Sequence, residues 1–319
     1  MTDKKPWIVC LMGPTASGKT QLAVDLVQQF PFEIISVDSA MVYRGMNIGT
    51  AKPTADILQM APHRLIDIRD PAEPYSAAQF RDDAIREIDA IIAKGHIPLL
   101  VGGTMLYFST LQKGLSDLPS AHPEIRAKLT AEAEALGWSA LHERLSQVDP
   151  ASAARIHPHD AQRIQRALEV YEVSGKNLTA WQQAGVSMQG DYEICNLIVS
   201  PSDRVILHER IATRFLSMLA DGFLDEVKQL WARGDLNLEM PSMRSVGYRQ
   251  AWEYLLGLYS YDEMCEKGII ATRQLAKRQL TWLRHWPEPV CWFDSLSSNL
   301  FNDVSATLHS VIFNKNKSI

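Results

Sequence analysis

Eight consecutive residues near the amino terminus have the types and spacing of a phosphate-binding loop. Residues 13–20 read GPTASGKT, which fits the pattern Gly-x-x-x-x-Gly-Lys-[Ser/Thr]. In such a loop, backbone N–H groups and a helix amino terminus converge on phosphate oxygens, the lysine adds positive charge, and the last hydroxyl can ligate Mg²⁺. The sequence therefore predicts a phosphate site formed by Gly13, Pro14, Thr15, Ala16, Ser17, Gly18, Lys19 and Thr20.

Two other segments carry polar groups that could act at the same site. Residues 33–38 are a short apolar run that ends at Asp38, and residues 97–101 are a similar run followed by Gly102, Gly103 and Thr104. Because ligands of parallel α/β sheets bind outside the carboxyl ends of the strands, we expect Asp38 to face the phosphate loop. Two roles remain open for Thr104, a plain helix N-cap or a hydroxyl that faces the ligand.

Hydrophobic periodicity indicates the elements that position these residues. Short apolar runs predict strands at 7–12, 33–38, 65–68, 97–101, 192–199 and 290–294. Helical spacing predicts helices at 21–30, 75–94, 105–112, 203–220, 221–233, 245–256 and 262–285, with a terminal helix after the last strand. Between them, residues 118–189 show helical patterns only, at 124–136, 138–147, 159–174 and 178–183.

This order of elements predicts an α/β fold with a P-loop NTPase-like parallel sheet core flanked by helices and interrupted by an all-helical insertion domain. The predicted core comprises residues 1–116 and 190–319, and the insertion comprises residues 117–189. The segment 39–53 has glycines and little apolar periodicity, so we interpret it as a loop of the site. Residues 314–319 are expected to be frayed.

Composition sets the broad class of the protein. The chain has 319 residues, 46% of them hydrophobic and 22% charged, with a formal net charge of −5. No apolar run reaches the length of a membrane span, and residues 1–5 lead into the first strand without a secretory segment. We therefore expect a cytoplasmic protein without a membrane partner. Its cysteines, Cys10, Cys195, Cys265 and Cys291, are far apart and form no Cys-x-x-Cys pair, so we expect them to be reduced. We also expect a monomer, because nothing in the sequence indicates an oligomer.

One stretch departs from the acidic average of the chain. From Lys267 to His285 there are five Lys or Arg residues and no Asp or Glu. On a helix, Arg273, Lys277, Thr281 and Arg284 lie beside an inner stripe that includes Ala276 and Leu283. Charge runs are usually solvated faces, but the complete lack of acids along nineteen residues favours an anionic partner.

The residues alone leave three functional classes open. A phosphate loop, an acid at the next strand end and Gly-Gly-Thr at another predict transfer of a group from a phosphorylated donor. The enzyme could be a small-molecule kinase that binds ATP, or a transferase whose leaving group is diphosphate. A non-catalytic RNA-binding module is the third class.

Several blocks along the chain narrow this choice by resemblance. Besides residues 13–20, these blocks are SVDSAMVY at 36–43, GTAKP at 49–53, PHRL at 62–65, VGGT at 101–104, GYRQ at 247–250 and RQLAKRQ at 273–279. Together they resemble the tRNA dimethylallyltransferase (tRNA isopentenyltransferase) family, bacterial type, and the resemblance extends over nearly the whole chain. It is far more specific than the phosphate loop alone.

The resemblance implies a tRNA-modifying prenyltransferase. Such enzymes transfer a dimethylallyl group from dimethylallyl diphosphate to the N6 amine of the adenine 3′ to the anticodon, in tRNAs that read codons beginning with U. The phosphate loop then binds the prenyl diphosphate rather than ATP, Thr20 helps to bind Mg²⁺, and Asp38 is the general base. Lys19 and Thr104 complete the implied catalytic set. Eukaryotic members often have a carboxyl-terminal zinc finger, but this chain lacks the Cys and His residues for one, so we expect no zinc.

The resemblance also implies that the helical insertion grips the anticodon stem-loop. The implied tRNA-binding residues form five groups along the chain. They are Asp38, Ser39, Ala40 and Met41; Thr104 and Arg126; Gln162, Arg163, Ile164, Gln165 and Arg166; Arg244, Ser245, Val246, Gly247, Tyr248 and Arg249; and Lys277, Arg278, Gln279, Leu280, Thr281, Trp282, Leu283 and Arg284. The last group overlaps the acid-free stretch.

Overall fold

A computed structural model describes residues 5–114, 118–119, 122–183 and 191–313. The chain divides into two compact units. The α/β unit comprises Met1–Thr110 and Gln189–Ile319, and the helical unit comprises Leu111–Met188. No helix among the described residues is both long enough and apolar enough to span a bilayer.

The α/β unit is built on a six-stranded sheet. Its strands are β1 (Trp7–Met12), β2 (Phe32–Val37), β3 (His63–Arg64), β4 (Ile97–Gly102), β5 (Glu193–Ser200) and β6 (Val290–Asp294), in the order β3-β2-β4-β1-β5-β6. All neighbours pair in parallel, and Gly102 lies opposite both Met12 and Val37. The carboxyl ends of β1, β2 and β4 therefore lie together at one edge of the sheet. The predicted fold class is confirmed.

Helices cover the sheet. The first four are α1 (Lys19–Gln29), α2 (Ala55–Met60), α3 (Ala77–Ala93) and α4 (Met105–Lys113). The α3 helix begins with a capping box, in which the Ser76 hydroxyl accepts a hydrogen bond from the Gln79 N–H and the Gln79 side chain accepts one from the Ser76 N–H. Val9, Leu11, Leu22 and Leu26 are all buried in one core, which fixes α1 on the sheet.

The helical unit contains α5 (Pro123–Leu136), α6 (Trp138–Val148), α7 (Pro150–Arg155), α8 (Ala161–Ser174) and α9 (Leu178–Gln183). Their apolar faces share a core of their own, which includes Leu129, Leu141, Leu145 and Leu168. The sequence predicted each of these helices except α7. The predicted boundary at 189/190 and the predicted frayed tail lie outside the described residues.

After β5 the chain forms α10 (Arg204–Ala220), α11 (Phe223–Ala232), α12 (Tyr248–Leu255), α13 (Tyr261–Arg284) and α14 (Leu300–Leu308), followed by a π-helix at His309–Phe313. Leu207 and Ile211 of α10 pack against Ala276 of α13. The strand β6 is at the edge of the sheet, as predicted.

One predicted strand, residues 65–68, is wrong. The strand β3 ends at Arg64, and the backbone then turns through positive φ at Leu65 (61°) and Asp67 (54°), which no strand accommodates. The Asp67 N–H bonds to the Met41 carbonyl, and the Asp67 carboxylate accepts a hydrogen bond from Lys52 Nζ at 2.5 Å. The segment is therefore hydrogen-bonded to the 39–53 loop and does not extend the sheet.

Candidate active site

The loop at 13–20 connects β1 to α1 and has the backbone form of an anion-binding concavity. Ala16 (φ 61°) and Gly18 (φ 89°) are in the left-handed region, an alternation that turns successive N–H groups toward one point. Gly13 lies so close to β5 that a Cβ atom there would be 2.1 Å from the Val199 carbonyl oxygen. Glycine at position 13 thus allows the loop to sit directly over the sheet edge.

Lys19 is the first residue of α1, and its ammonium group is turned back toward the loop. Its Nζ donates hydrogen bonds to the Pro14 carbonyl oxygen at 2.6 Å and to Ser17 Oγ at 3.3 Å. Burial lowers the pKa of Lys19 to about 7; the positive charge of Arg214 lowers it further, and the Asp38 carboxylate opposes both. An anion bound beside Lys19 restores the preference for the charged form.

Asp38 follows β2 directly and holds one of its two carboxylate oxygens in place. Its Oδ1 accepts hydrogen bonds from the N–H groups of Ala40 at 2.8 Å and Met41 at 3.2 Å. Within the part of the chain that the structure describes, Oδ2 has no hydrogen-bond donor. The carboxylate is therefore oriented through one oxygen and open through the other, as a proton acceptor requires.

Thr104 lies at the end of β4 and is tied to the residue after Asp38. Its Oγ1 accepts a hydrogen bond from the Ser39 N–H at 3.1 Å and lies 3.4 Å from Ser39 Oγ. Its carbonyl oxygen accepts the N–H of Tyr107 in the first turn of α4. The side chain thus joins the ends of β2 and β4, and it lines the pocket described next.

A pocket of about 480 Å³ opens above this sheet edge, and Asp38 lines it; we call it the Asp38 pocket. Many residues that the sequence predicted as site residues line it, although they come from five separate segments. They are Thr15, Ala16, Asp38, Ser39, Ala40, Thr104, Arg244, Ser245, Val246, Gly247, Tyr248, Arg278, Gln279 and Trp282. The fold therefore brings the phosphate loop, the acid and part of the acid-free stretch of α13 to one cavity.

Arg214 on α10 is a pocket residue that the sequence reasoning missed. It lines the Asp38 pocket and two adjoining cavities, and it forms no ion pair with any described residue. Burial lowers the pKa of Arg214, and the Asp38 carboxylate opposes this effect. A signal was present in the sequence: Arg214 is three residues after Ile211 and seven after Leu207, which places a cation on the buried face of its helix.

Gln279 on α13 connects the phosphate loop to the loop after β4. Its Oε1 accepts a hydrogen bond from the Thr15 N–H at 2.9 Å, and its Nε2 donates to the Gly103 carbonyl oxygen at 2.8 Å. A Cβ atom at Gly103 would be 2.5 Å from Gln279 Nε2, so a side chain at position 103 would displace the Gln279 amide. Gln279 was predicted to bind tRNA, but it is 91% buried and bonded on both sides of its amide to the protein.

The loop at 47–49 forms another wall and is fixed by a buried carboxylate. Glu226 Oε2 accepts hydrogen bonds from the N–H groups of Asn47 and Ile48, both at 2.8 Å, and Oε1 accepts from Gly49 at 3.2 Å. The Tyr248 hydroxyl donates to Glu226 Oε1 at 2.5 Å. Tyr248, predicted to contact tRNA, is fully buried and lines the pocket from within.

The other predicted residues of α12 and α13 lie outside the Asp38 pocket. Arg249 is exposed and pairs with Glu253 at 2.9 Å. Lys277, Leu280, Thr281 and Arg284 face α10 and line a separate small cavity. Leu283 is buried in the packing of α13, so its side chain does not face solvent.

In the helical unit, the predicted tRNA-binding residues lie on or beside α5 and α8. Arg126 donates hydrogen bonds to Glu169 at 2.8 and 3.2 Å, and Arg166 donates one at 2.8 Å. The Gln165 side chain donates to the Arg126 carbonyl oxygen, and Ile164 is fully buried. Gln162 and Arg163 are exposed, and Arg163 is 3.4 Å from the Asp160 carboxylate.

Comparison with known proteins identifies the family. Residues 41–286 match the family model described as IPP transferase. A protein of Coxiella burnetii (strain RSA 493 / Nine Mile phase I) named tRNA dimethylallyltransferase is 57% identical over 302 residues, which cover 95% of this chain and 97% of that protein. The chain belongs to the IPP transferase family.

Solved structures of IPP transferases have the same fold. The full-length tRNA isopentenylpyrophosphate transferase of Bacillus halodurans is 36% identical with a TM-score of 0.70, and the alignment covers 98% of this chain and 100% of that one. A eukaryotic dimethylallyltransferase acting on tRNA is 26% identical with a TM-score of 0.81, over 98% of this chain and 81% of that one. The resemblance found in the sequence is confirmed at the level of the family, a group of tRNA-modifying prenyltransferases.

Proposed function

We propose that this IPP transferase moves a dimethylallyl group from dimethylallyl diphosphate to the N6 amine of the adenine 3′ to the anticodon, in tRNAs that read codons beginning with U. The observation that carries the proposal is an acid with an open oxygen beside two cations, neither of which forms an ion pair with a described residue. Asp38 and Arg214 line the pocket, and Lys19 of the phosphate loop interacts electrostatically with both.

The cations and the phosphate loop bind the diphosphate. The loop N–H groups, Lys19 and Arg214 face a ligand that already carries negative charge and gains more at the bridging oxygen as the allylic C–O bond breaks. Fixed donors that meet this developing charge lower the barrier, because they need no reorganisation during the reaction. The Thr15 N–H is already bonded to Gln279, so the other loop amides supply most of the donors.

The donor set also fits Mg²⁺. Thr20 is the second residue of α1, is exposed, and makes no side-chain hydrogen bond within the described residues, so its hydroxyl is available as an oxygen ligand. Mg²⁺ prefers oxygen ligands and usually combines one or two protein oxygens with phosphate oxygens and water. When bound, the ion offsets negative charge on the departing diphosphate. The expectation that the enzyme needs no zinc stays a prediction.

Asp38 acts on the acceptor. The exocyclic amine of adenine is a weak nucleophile because its lone pair is delocalised into the ring. Removal of a proton by Asp38 Oδ2 as the C–N bond forms avoids a charged amine product. The backbone donors at Ala40 and Met41 hold the carboxylate in place during this transfer.

The adenine must leave the stack of the anticodon loop to reach Asp38, at a cost of a few kcal/mol. We propose that exposed residues at the pocket rim, Arg244, Arg278 and Trp282, contact the extracted nucleotide and its neighbours. Gln162 and Arg163 of the helical unit then contact the anticodon stem-loop. Aromatic and arginine side chains suit this task, because RNA sequence is read from unstacked single-stranded bases.

The test is single-turnover prenylation of tRNA by an Asp38→Asn variant. Asparagine keeps an acceptor for the Ala40 and Met41 N–H groups but cannot take a proton. We expect the rate to fall about 100-fold or more, the usual contribution of a general base. Binding of dimethylallyl diphosphate and of tRNA should stay within about twofold of the wild type.

The matched control is Asp82→Asn, which removes an exposed carboxylate of α3 and should leave the rate unchanged. A near-wild-type rate for Asp38→Asn would refute the base assignment. Digestion of the product followed by mass spectrometry locates the modified nucleoside, and a tRNA with guanine in place of the target adenine should remain unmodified. Phosphate transfer from ATP to a small metabolite, without prenyl transfer, would instead support the kinase alternative.

A further inference from the structure

A small cavity between α10 and α13 is lined by basic side chains from both helices. We call it the basic notch. It has a volume of about 100 Å³. Its apolar floor is Leu207, Ala276 and Leu280, and its rim is Arg204, His208, Arg273, Lys277, Thr281 and Arg284. The rim thus combines part of the acid-free stretch of α13 with two residues of α10 that no motif indicated.

The described residues do not neutralise the positive charges of the notch. No acidic side chain is among its lining residues, and none of its Lys or Arg side chains forms an ion pair with a described residue. Arg273 Nε is buried and has no acceptor in the part of the chain that the structure describes, while Arg273 Nη2 reaches the His208 carbonyl oxygen at 3.5 Å. Like charges held together in this way repel one another, and a bound anion relieves the repulsion.

The notch is on a different face of α13 from the Asp38 pocket. Leu275, Arg278, Gln279 and Trp282 line the pocket. Residues 273, 277, 280 and 284 recur at spacings of three and four and line the notch instead. One helix therefore presents two separate surfaces, and an anion in the notch does not occupy the site of chemistry.

The size of the notch selects the ligand. Pockets for drug-sized molecules have volumes of roughly 300–1,000 Å³, several times that of the notch, so a whole nucleoside does not fit. A tetrahedral phosphate group does fit, and guanidinium groups are well suited to bind its oxygens. The floor offers no polar group that could read a base.

We propose that the basic notch binds one phosphodiester group of the tRNA backbone, at a distance from the nucleotide that enters the Asp38 pocket. This rests on the proposed function, in which tRNA is the substrate, and it adds Arg204 and His208 of α10 to the RNA-binding surface. The contact is independent of sequence and serves to position the RNA. The alternative occupant with the same chemistry is free inorganic phosphate.

His208 provides a reporter within the notch. Arg204 Nε donates to His208 Nε2 at 3.4 Å. Burial lowers the pKa of His208, and the charges of Arg273 and Arg204 lower it further. A phosphate bound among these cations supplies the opposite charge, so occupation of the notch raises the pKa of His208.

The first experiment measures binding of an anticodon stem-loop RNA over a range of KCl concentrations. For Arg204→Glu we expect Kd to rise about tenfold and the slope of log K against log[KCl] to fall by about one, the change for one lost phosphate contact. Lys228→Glu is the matched control, since it makes the same change in net charge on exposed α11. Dimethylallyl diphosphate binding without RNA should be normal in both variants, which shows that the fold is intact.

The second experiment follows the His208 pKa by NMR in the wild-type protein. A rise on addition of the stem-loop RNA, with little change in up to a few millimolar inorganic phosphate, supports the proposal. A rise with phosphate but none with RNA overturns it, as does an Arg204→Glu variant with the wild-type salt slope. Prenylation of tRNA by the wild-type enzyme is measured in parallel, so failure of the notch is distinguished from failure of the proposed function.

Discussion

Two buried charged side chains, Glu169 and Lys19, lie in opposite electrostatic environments. In the helical unit, Glu169 is fully buried and accepts hydrogen bonds from Arg126, Arg166 and the His122 N–H. Burial alone raises the pKa of Glu169, but these partners outweigh it and lower the pKa. In the phosphate loop, Lys19 has no ion-pair partner among the described residues, and burial lowers its pKa to about 7.

The comparison separates stabilising charges from functional ones. A lowered pKa in an acid means that the fold favours its charged form, whereas a lowered pKa in a base means that the fold disfavours it. The helical unit therefore uses Glu169 for stability, whereas the phosphate loop disfavours the charged form of Lys19 until an anionic ligand binds beside it. Such unsatisfied charge is a usual cost of a binding site.

The largest expected effect is loss of stability on Glu169→Gln. Removal of one partner from a buried ion pair typically costs 3–5 kcal/mol, and we expect about 3 kcal/mol because Arg126 is partly exposed. The lowered pKa of Glu169 also makes stability depend on pH: this contribution is present above the ordinary Glu pKa and is lost as the pH falls from there through the lowered pKa of Glu169. Urea unfolding measures the loss, with exposed Glu143→Gln as the control. A loss below about 1 kcal/mol would contradict the stabilising role.

The Asp38 pocket should respond in the opposite way. Arg214→Gln removes a charge that the fold does not neutralise, so we expect unchanged or slightly higher stability in the same urea assay. Dimethylallyl diphosphate binding should weaken about 100-fold, because a hydrogen bond to a charged group contributes up to about 3 kcal/mol. Calorimetry without tRNA measures this, and Arg249→Gln, outside the pocket, is the control. If the Arg214→Gln variant bound dimethylallyl diphosphate as tightly as the wild type but was less stable, Arg214 would be a stabilising charge like Glu169.

The sequence predicted the parts of the site that depend on neighbours along the chain. Residues 13–20 form their loop because glycines at fixed spacing allow its turn, and Asp38 faces the pocket because it follows a buried strand directly. The same reasoning placed five of the six strands. It misassigned residues 65–68, where an apolar run turns through positive φ and forms backbone hydrogen bonds with another loop instead of extending the sheet.

The missed residue, Arg214, and the structural positions of several predicted residues depend on packing between distant segments. Arg214 reaches the pocket only because α10 packs against α13. Gln279 accepts a hydrogen bond from the Thr15 N–H, which is 264 positions away in the sequence. Tyr248 and Ile164 are buried within segments that were predicted to bind tRNA. The reason is the same, since a motif does not distinguish the inner from the outer face of its helix.

The pH dependence of diphosphate binding tests whether a bound anion restores the charged form of Lys19. Because the free enzyme has a Lys19 pKa of about 7 and the bound anion raises it, binding takes up a proton above that pH. Between pH 7.5 and 9, where a phosphate monoester with a pKa near 6 is already deprotonated, Kd should rise roughly tenfold per pH unit. Calorimetry in buffers of different ionisation enthalpy counts the protons. Lys19→Met should bind weakly without this pH dependence.

The smallest effects on binding are expected in α13, where substitutions of the adjacent residues Arg278 and Gln279 should weaken binding of different substrates. Gln279→Glu keeps an acceptor for the Thr15 N–H but places a carboxylate against the Gly103 carbonyl oxygen. Loss of one neutral hydrogen bond costs about 1 kcal/mol and the repulsion between the two oxygens adds to it, so we expect the KM for dimethylallyl diphosphate to rise at least about fivefold. The Kd for tRNA should not change, because Gln279 is buried.

Arg278→Gln should give the reverse, with weaker tRNA binding and an unchanged KM for dimethylallyl diphosphate, since Arg278 is exposed at the pocket rim. Steady-state kinetics at saturating tRNA and a separate RNA-binding titration measure the two quantities. If both variants weakened tRNA binding equally, Gln279 would belong to the RNA surface. The contrast between buried Gln279, which positions the phosphate loop, and exposed Arg278, which contacts RNA, would then be wrong.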